Sequence, residues 1–179
     1  LPPNFYAQSV QGIPLLGYQI ENYVITNLAT EYLKLDPERS EKVAMFLELN
    51  SPFILIPLFV DVLNFEVLVE VWHRMIINKS LDPVRKMVLK LIDTFLDVIC
   101  ADNMLGPSEM QALICRTINT IHYKDAWKIP IDAKQVKQLQ EKYIADFSKQ
   151  WSSTKRSVYS TLQEITHFTK DEIKQLQEV

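Results

Sequence analysis

Glycine is almost missing from this chain. Three glycines in 179 residues cannot supply the positive-φ turns that sandwiches, barrels and glycine-loop nucleotide sites need, so these classes are not expected. Cysteine is nearly as scarce. Cys100 and Cys115 are too few for a disulfide framework, and their apolar neighbours suggest two buried thiols in a reducing compartment such as the cytoplasm. A cationic surplus is lacking too: 19 Lys and Arg against 22 Asp and Glu give a net charge of −3, so no global field favours nucleic acid. The longest apolar stretch, residues 52–77, is interrupted by Pro57, Asp61, Asn64, Glu66, Glu70, His73 and Arg74. A bilayer span needs about 20 mostly apolar residues, so this stretch reads as core and no membrane span is expected. A signal-peptide pattern is absent, as are the GxxxxGK[ST], GxGxxG, HExxH and GxSxG motifs. The chain opens on Leu1 and stops inside a helical pattern, which is expected of a piece of a larger protein.

Apolar residues are plentiful, at 47% of the chain with 23% charged, enough for a packed core. Their spacing is helical. Residues 1–14, with Pro2, Pro3, Gly12 and Pro14, read as an extended arm, and 15–179 as a single all-α domain. Helices are expected over 15–34, over 37–49 behind the Asp36-Pro37 start signal, and over 53–63 behind Ser51-Pro52, with Pro57 kinking or shortening the last. Asn64 is expected to cap a helix over 65–77. That helix is apolar around most of its circumference, apart from a stripe of Glu66, Glu70, His73 and Arg74, which predicts burial between neighbours with Trp72 at the centre of the core. Asp82-Pro83 opens a helix to 101, with Arg85, Lys86, Lys90, Asp93 and Asp97 on its solvent side. A further helix is expected over 107–122, a loop over 123–131, a long helix behind the Asp132 cap, and a last one behind Thr169-Lys170-Asp171-Glu172.

Leu35-Asp36-Pro37-Glu38-Arg39 recurs 46 residues later as Leu81-Asp82-Pro83-Val84-Arg85. At the same offset Val67 meets Leu113 and Trp72 meets Ile118. Helical repeats of the HEAT and armadillo type have periods of about 40–47 residues, so stacked helical hairpins in that style are the expected architecture. In that arrangement both aspartates cap equivalent, parallel helices and the 65–77 helix packs against both. A closed helical bundle is the alternative.

Chemistry-bearing patterns are few. Glu70-Val71-Trp72-His73 and Glu164-Ile165-Thr166-His167 place a carboxylate and an imidazole three residues apart, the spacing used in di-iron bundles. Glu41 and Glu141, the best-placed supporting carboxylates, lie outside the apolar stripes of their helices. Cys115 and His122 are seven residues apart on one helix. A basic stretch, Lys124, Lys128, Lys134, Lys137, Lys142, Lys149, Lys155 and Arg156, has Trp127, Tyr143, Trp151 and Tyr159 interleaved, a pattern that can stack single-stranded RNA.

The reading that follows is a non-enzymatic helical scaffold that binds another protein, with no cofactor or metal. Trp127, Ile129, Tyr143 and Trp151 are its expected interface anchors. A helical-repeat RNA-binding module and a di-iron bundle are the alternatives. A regulatory domain acting on a small GTPase lacks an identifying arginine-finger motif here.

Overall fold

The structure, a computed structural model, describes residues 9–10, 13–101, 106–117, 122–147 and 149. The chain divides into two compact units, Leu1–Gln140 and Glu141–Val179. The regular structure among the described residues is helical, apart from one short strand pairing. Strand β1 (Ser9–Val10) pairs antiparallel with β2 (Ile13–Pro14), Val10 opposite Ile13. Of the expected extended arm, residues 9–10 and 13–14 thus pair with each other just before the first helix, and 1–8 and 11–12 lie outside the described residues.

Helix α1 spans Leu15–Tyr32. It ends at Lys34, which takes up the left-handed conformation (φ 52°), while the Leu35 N–H reaches back to the Thr30 carbonyl at 2.9 Å. This six-to-one bond is the Schellman closure of a helix. Asp36 then caps α2 by accepting a hydrogen bond from the Arg39 N–H at 2.9 Å, and Pro37 sits where its missing N–H leaves nothing unsatisfied.

Helix α2 spans Pro37–Ile54. It runs straight through Ser51-Pro52, so this signal does not open a new helix. Pro52 forfeits one backbone bond, but α2 holds its register around it. The Asn50 amide donates to the Phe46 carbonyl at 2.9 Å and the Asn22 amide donates to Ser51 Oγ at 2.8 Å. Thr30 and Ser40 hydroxyls meet at 2.7 Å. The pairs 30–40 and 22–51 make α1 and α2 an antiparallel hairpin.

The expected helix 53–63 is instead a string of turns. Pro57 cannot extend the ladder, and Leu58, Phe59 and Asp61 all have positive φ (48°, 67° and 64°). Each such residue costs about 1–2 kcal/mol. Phe59, Val62 and Leu63 are buried, and burying side chains of this size contributes about 1.5–3 kcal/mol each, enough to hold the segment in place. The Trp72 indole donates to the Leu58 carbonyl at 3.0 Å. That is the role Trp72 has: it is half-buried and clamps a turn, where the sequence placed it at the centre of the core.

Helix α3 (Phe65–Asn78) is capped as expected, Asn64 Oδ1 accepting from the Val67 N–H at 3.0 Å. It closes at Lys79, again left-handed (φ 47°). The expected burial is corrected: Val67, Leu68 and Val71 are buried, but the rest of its apolar surface is not.

Helix α4 (Asp82–Ile99) is the central element. It packs on α1, α2, α3 and a 3-10 helix at Tyr123–Lys128. Arg85 and Leu89 are buried along with the expected apolar face, so Arg85 does not belong to the solvent side. Asp82 is inside the helix and caps nothing. Its Oδ1 accepts from Arg85 Nη1 at 2.8 Å. Lys42, early in α2, donates to the Cys100 carbonyl at the end of α4 (3.0 Å). Ser51, late in α2, meets Asn22, whose neighbour Glu21 grips Arg85 at the start of α4. Helices α2 and α4 therefore touch and run in opposite senses. The expected parallel displacement of the two Asp-Pro helices, with 65–77 packed against both, is not the relation between them.

Helix α5 (Pro107–Thr117) buries Met110 and Ile114 and packs on α2. The Glu109 carboxylate accepts from the Gly106 N–H at 3.0 Å, the back-bond of a capping box. Residues 133–147 form α6, capped as expected by Asp132, whose Oδ1 accepts from the Lys134 N–H at 2.9 Å. Within the first unit Gln135 donates to Glu31, and Gln140 donates to Glu21 at 3.2 Å, so this segment runs antiparallel along α1. In the second unit the Tyr143 and Phe147 rings stack at 6.3 Å.

Candidate interaction surface

Two places in the first unit could carry function: the region around Trp127, singled out by the sequence, and the outer faces of α2 and α3. Around Trp127 the chain is tied inward. The guanidinium of Arg74 lies 4.5 Å from the centre of the Trp127 ring, a cation–π contact. Lys86 Nζ donates to the Trp127 carbonyl at 3.3 Å. Ile129 is 2% exposed and Ala126 fully buried. Ile129 is thus a core residue, not an exposed anchor, and one face of Trp127 is already covered. The expected 123–131 loop begins as a 3-10 helix packed on α4.

Beside Trp127 lies a cleft of about 260 Å³, lined by Arg74, Asn78, Ser80, Asp82, Lys86 and Ile131 among others. Its charges are mostly matched. Arg74 donates twice to Glu70, at 2.9 and 3.0 Å, and Asp82 is held by Arg85. Lys128 pairs with Asp125 at 2.7 Å; the hydrogen bond and charge of Lys128 hold the Asp125 carboxyl below its usual range. Both are solvent-exposed, so the pair adds little stability. Tyr143 is half-buried in the second unit, and Trp151, Lys155, Arg156 and Tyr159 lie outside the described residues.

The residues proposed for metal chemistry do not assemble. Glu70 is occupied by Arg74, while His73 and Glu41 are exposed. No group of three His, Cys, Asp or Glu is close enough to hold a metal among the described residues. Glu141 is exposed in the second unit, and Glu164 and His167 lie outside the described residues. Cys115 gives its S–H to the Asp61 carbonyl at 3.3 Å rather than to His122. Both thiols are half-buried, not fully buried as expected, and burial pushes the Cys100 thiol above its ordinary range, against the opposing charges of Arg39 and Lys42.

Among the described residues, the most deeply set charge is Arg85, 5% exposed. Its Nε and Nη2 donate to both carboxylate oxygens of Glu21 at 2.8 Å. Burial works against the guanidinium charge, but hydrogen bonds and charge from Glu21, then Asp82, more than offset it and hold the pKa above its ordinary value. Arg85 and Glu21 are set between α1 and α4 and tie the two helices together, while Asp82, partly exposed, also lines the cleft beside Trp127.

The outer surface is different. Among the described residues, nine of the eleven exposed large apolar side chains fall between Met45 and Ile77. Met45, Leu49, Phe53 and Ile56 follow one face of α2 and the turn beyond it, at spacings of four, four and three. Phe65, Val69 and Ile76 follow one face of α3, with Phe65 at 78% and Ile76 at 69% exposed. Scattered apolar residues on a surface need no explanation, but a row of them along one helix face is a candidate for interaction. Residues 43–73 also contain no Lys or Arg, against Glu48, Asp61, Glu66 and Glu70. Glu48, Asp61 and Glu66 are exposed. The sequence reading missed this surface because it assigned every apolar residue of 65–77 to the core. The cation-free stretch was the available signal, since solvated helix faces usually mix both signs. Compared with known proteins, the chain matches no family model, no curated protein and no solved structure. No helix among the described residues is long and apolar enough to cross a membrane.

Proposed function

We propose that this chain is a non-enzymatic helical protein-interaction module, a closed bundle organised around α4 rather than a HEAT or armadillo stack. Its interface is the outer surface of α2 and α3, in place of the Trp127 region. The observation that carries this reading is the concentration of exposed large apolar side chains in residues 45–77, nine of the eleven among the described residues. Supporting it, Arg74 with Glu70, and Arg85 with Glu21 and Asp82, are engaged with one another, so none of these groups stands as a poised acid, base or nucleophile. The antiparallel contact of α2 and α4 favours the bundle.

An RNA-binding role draws on the basic stretch from Lys124 onward. Against it stand the Arg74 cover on Trp127 and the pairing of Lys128. The test is capture of partners from the cell of origin with the whole chain, compared with Leu49→Ser/Phe53→Ser and with Lys124→Glu/Lys134→Glu. A protein retained by the wild type and by the lysine variant, but lost with the apolar variant at unchanged helicity, supports the reading. Loss only with the lysine variant, together with captured RNA, contradicts it.

A further inference from the structure

Resting on the α3 part of that interface, we infer that the outer face of α3 is covered by the same face of a second copy of this chain, the two helices lying antiparallel across a two-fold axis. α3 packs on α4, and its Val67, Leu68 and Val71 are buried. On the other side Phe65, Val69, His73 and Ile76 follow one another at spacings of four, four and three, with Ile77 beside them, and all five are exposed. Side chains three and four apart share a helix face, so they form one row, roughly 16 Å long, on a single helix.

Charge selects the occupant. Residues 61–70 hold Asp61, Glu66 and Glu70 and no lysine or arginine, while residues 71–79 hold Arg74 and Lys79 and no aspartate or glutamate. Glu70 and Arg74 are spent on each other. Asp61, Glu66 and Lys79 are exposed and enter no ion pair among the described residues. Acids before bases suit the dipole of a lone helix, but a lone helix needs no exposed apolar row between them. With the row present, the order makes the face complementary to itself. Turned antiparallel, with Phe65 against Ile76 of the second copy, the acidic start of each α3 meets Lys79 of the other, twice by symmetry. Other occupants match one end only. A nucleic acid or an anionic lipid surface meets Asp61 and Glu66, and a uniformly basic helix meets Lys79. One helix face from each copy is a small interface, under about 1,200 Å² in total, so the dimer is reversible and depends on concentration.

The test is analytical ultracentrifugation of the whole chain over a wide concentration range, with circular dichroism to check that each variant keeps its helix content. A monomer–dimer equilibrium is expected, weaker at higher salt. Val69→Ser/Ile76→Ser should weaken it roughly tenfold or more, as for interface anchors, and Leu49→Ser/Phe53→Ser on α2 should leave it unchanged. Glu66→Lys and Lys79→Glu should each weaken it about threefold or more. Mixing these two charge variants should restore association close to the wild type, because an antiparallel pair of one with the other has both end contacts of opposite sign. A chain that stays monomeric throughout, a dimer lost with the α2 variant but not with the α3 variant, or charge variants that associate no better together than alone would each overturn the inference. The wider interface reading is judged separately, by the partner captured through Leu49 and Phe53, and a monomeric chain that still retains that partner separates the two.

Discussion

At the scale of single residues, Arg85 shows how a charge can organise an apolar helix. Removing one partner of a buried pair leaves the other charge stranded, which typically costs about 3–5 kcal/mol, whereas replacing both is far milder. Arg85→Met should therefore lower stability in urea by roughly that amount, and Glu21→Leu/Arg85→Met should recover much of it. A single variant as stable as the wild type would show that the triad does not tie α1 to α4. The two Asp-Pro starts separate in the same experiment. Asp36 is a cap, so Asp36→Ser should be nearly neutral and Asp36→Ala should cost about 1 kcal/mol. Asp82 caps nothing and serves Arg85, so Asp82→Ser should cost more than Asp36→Ser, on the order of the 1.5–3 kcal/mol of a charged hydrogen bond. Cys100 gives a pH dependence. The folded chain holds its thiol proton more tightly than the unfolded chain does, so stability falls as pH rises above the ordinary thiol range. Cys100→Ser should flatten that alkaline loss, and iodoacetamide at about pH 8 should alkylate Cys100 more slowly than free cysteine.

At the scale of elements, the starts of the helices were legible and several ends were not. Asp36, Asn64 and Asp132 cap where the sequence put them, because a capping side chain acts within three residues of itself. The end of α2 was misread for a matching reason. Ser51-Pro52 carries a start signal, but Asn22 on another helix satisfies Ser51, and no local pattern reveals that. Arg85 was misread in the same way, since its partner Glu21 is 64 residues away. The left-handed stops at Lys34 and Lys79 were hidden because neither is glycine. Lys79→Gly relieves a conformation that disfavours side chains, and its side chain is exposed, so a gain of about 0.5–1 kcal/mol in urea is expected. Trp72→Phe should loosen residues 55–63 by withdrawing the bond to the Leu58 carbonyl, at a cost of about 1–3 kcal/mol. Faster amide exchange at Phe59, Val62 and Leu63 would be its signature. Unchanged protection there would mean that the burial of Phe59 alone holds the turns.

At the scale of the whole molecule, helical class followed from the scarcity of glycine and the spacing of apolar residues, while the arrangement of the helices did not. The shared Leu-Asp-Pro start suggested a translation between α2 and α4, yet the bonds at either end of α2 set them in opposite senses. The proposed interface was hidden by the same assumption that made the core easy to find, namely that apolar residues at helical spacing face inward. Phe65, Val69 and Ile76 have that spacing and face out. The most direct measurement is photo-crosslinking in the cell of origin, with a benzophenone side chain placed in the full chain at position 53, 69 or 134. Protein adducts are expected from 53 and 69 and none from 134, where exposed Lys134 opens the basic stretch of α6. Adducts from 134 alone, or none from 53 and 69 under conditions where 134 reacts, would contradict the assignment of the interface to α2 and α3.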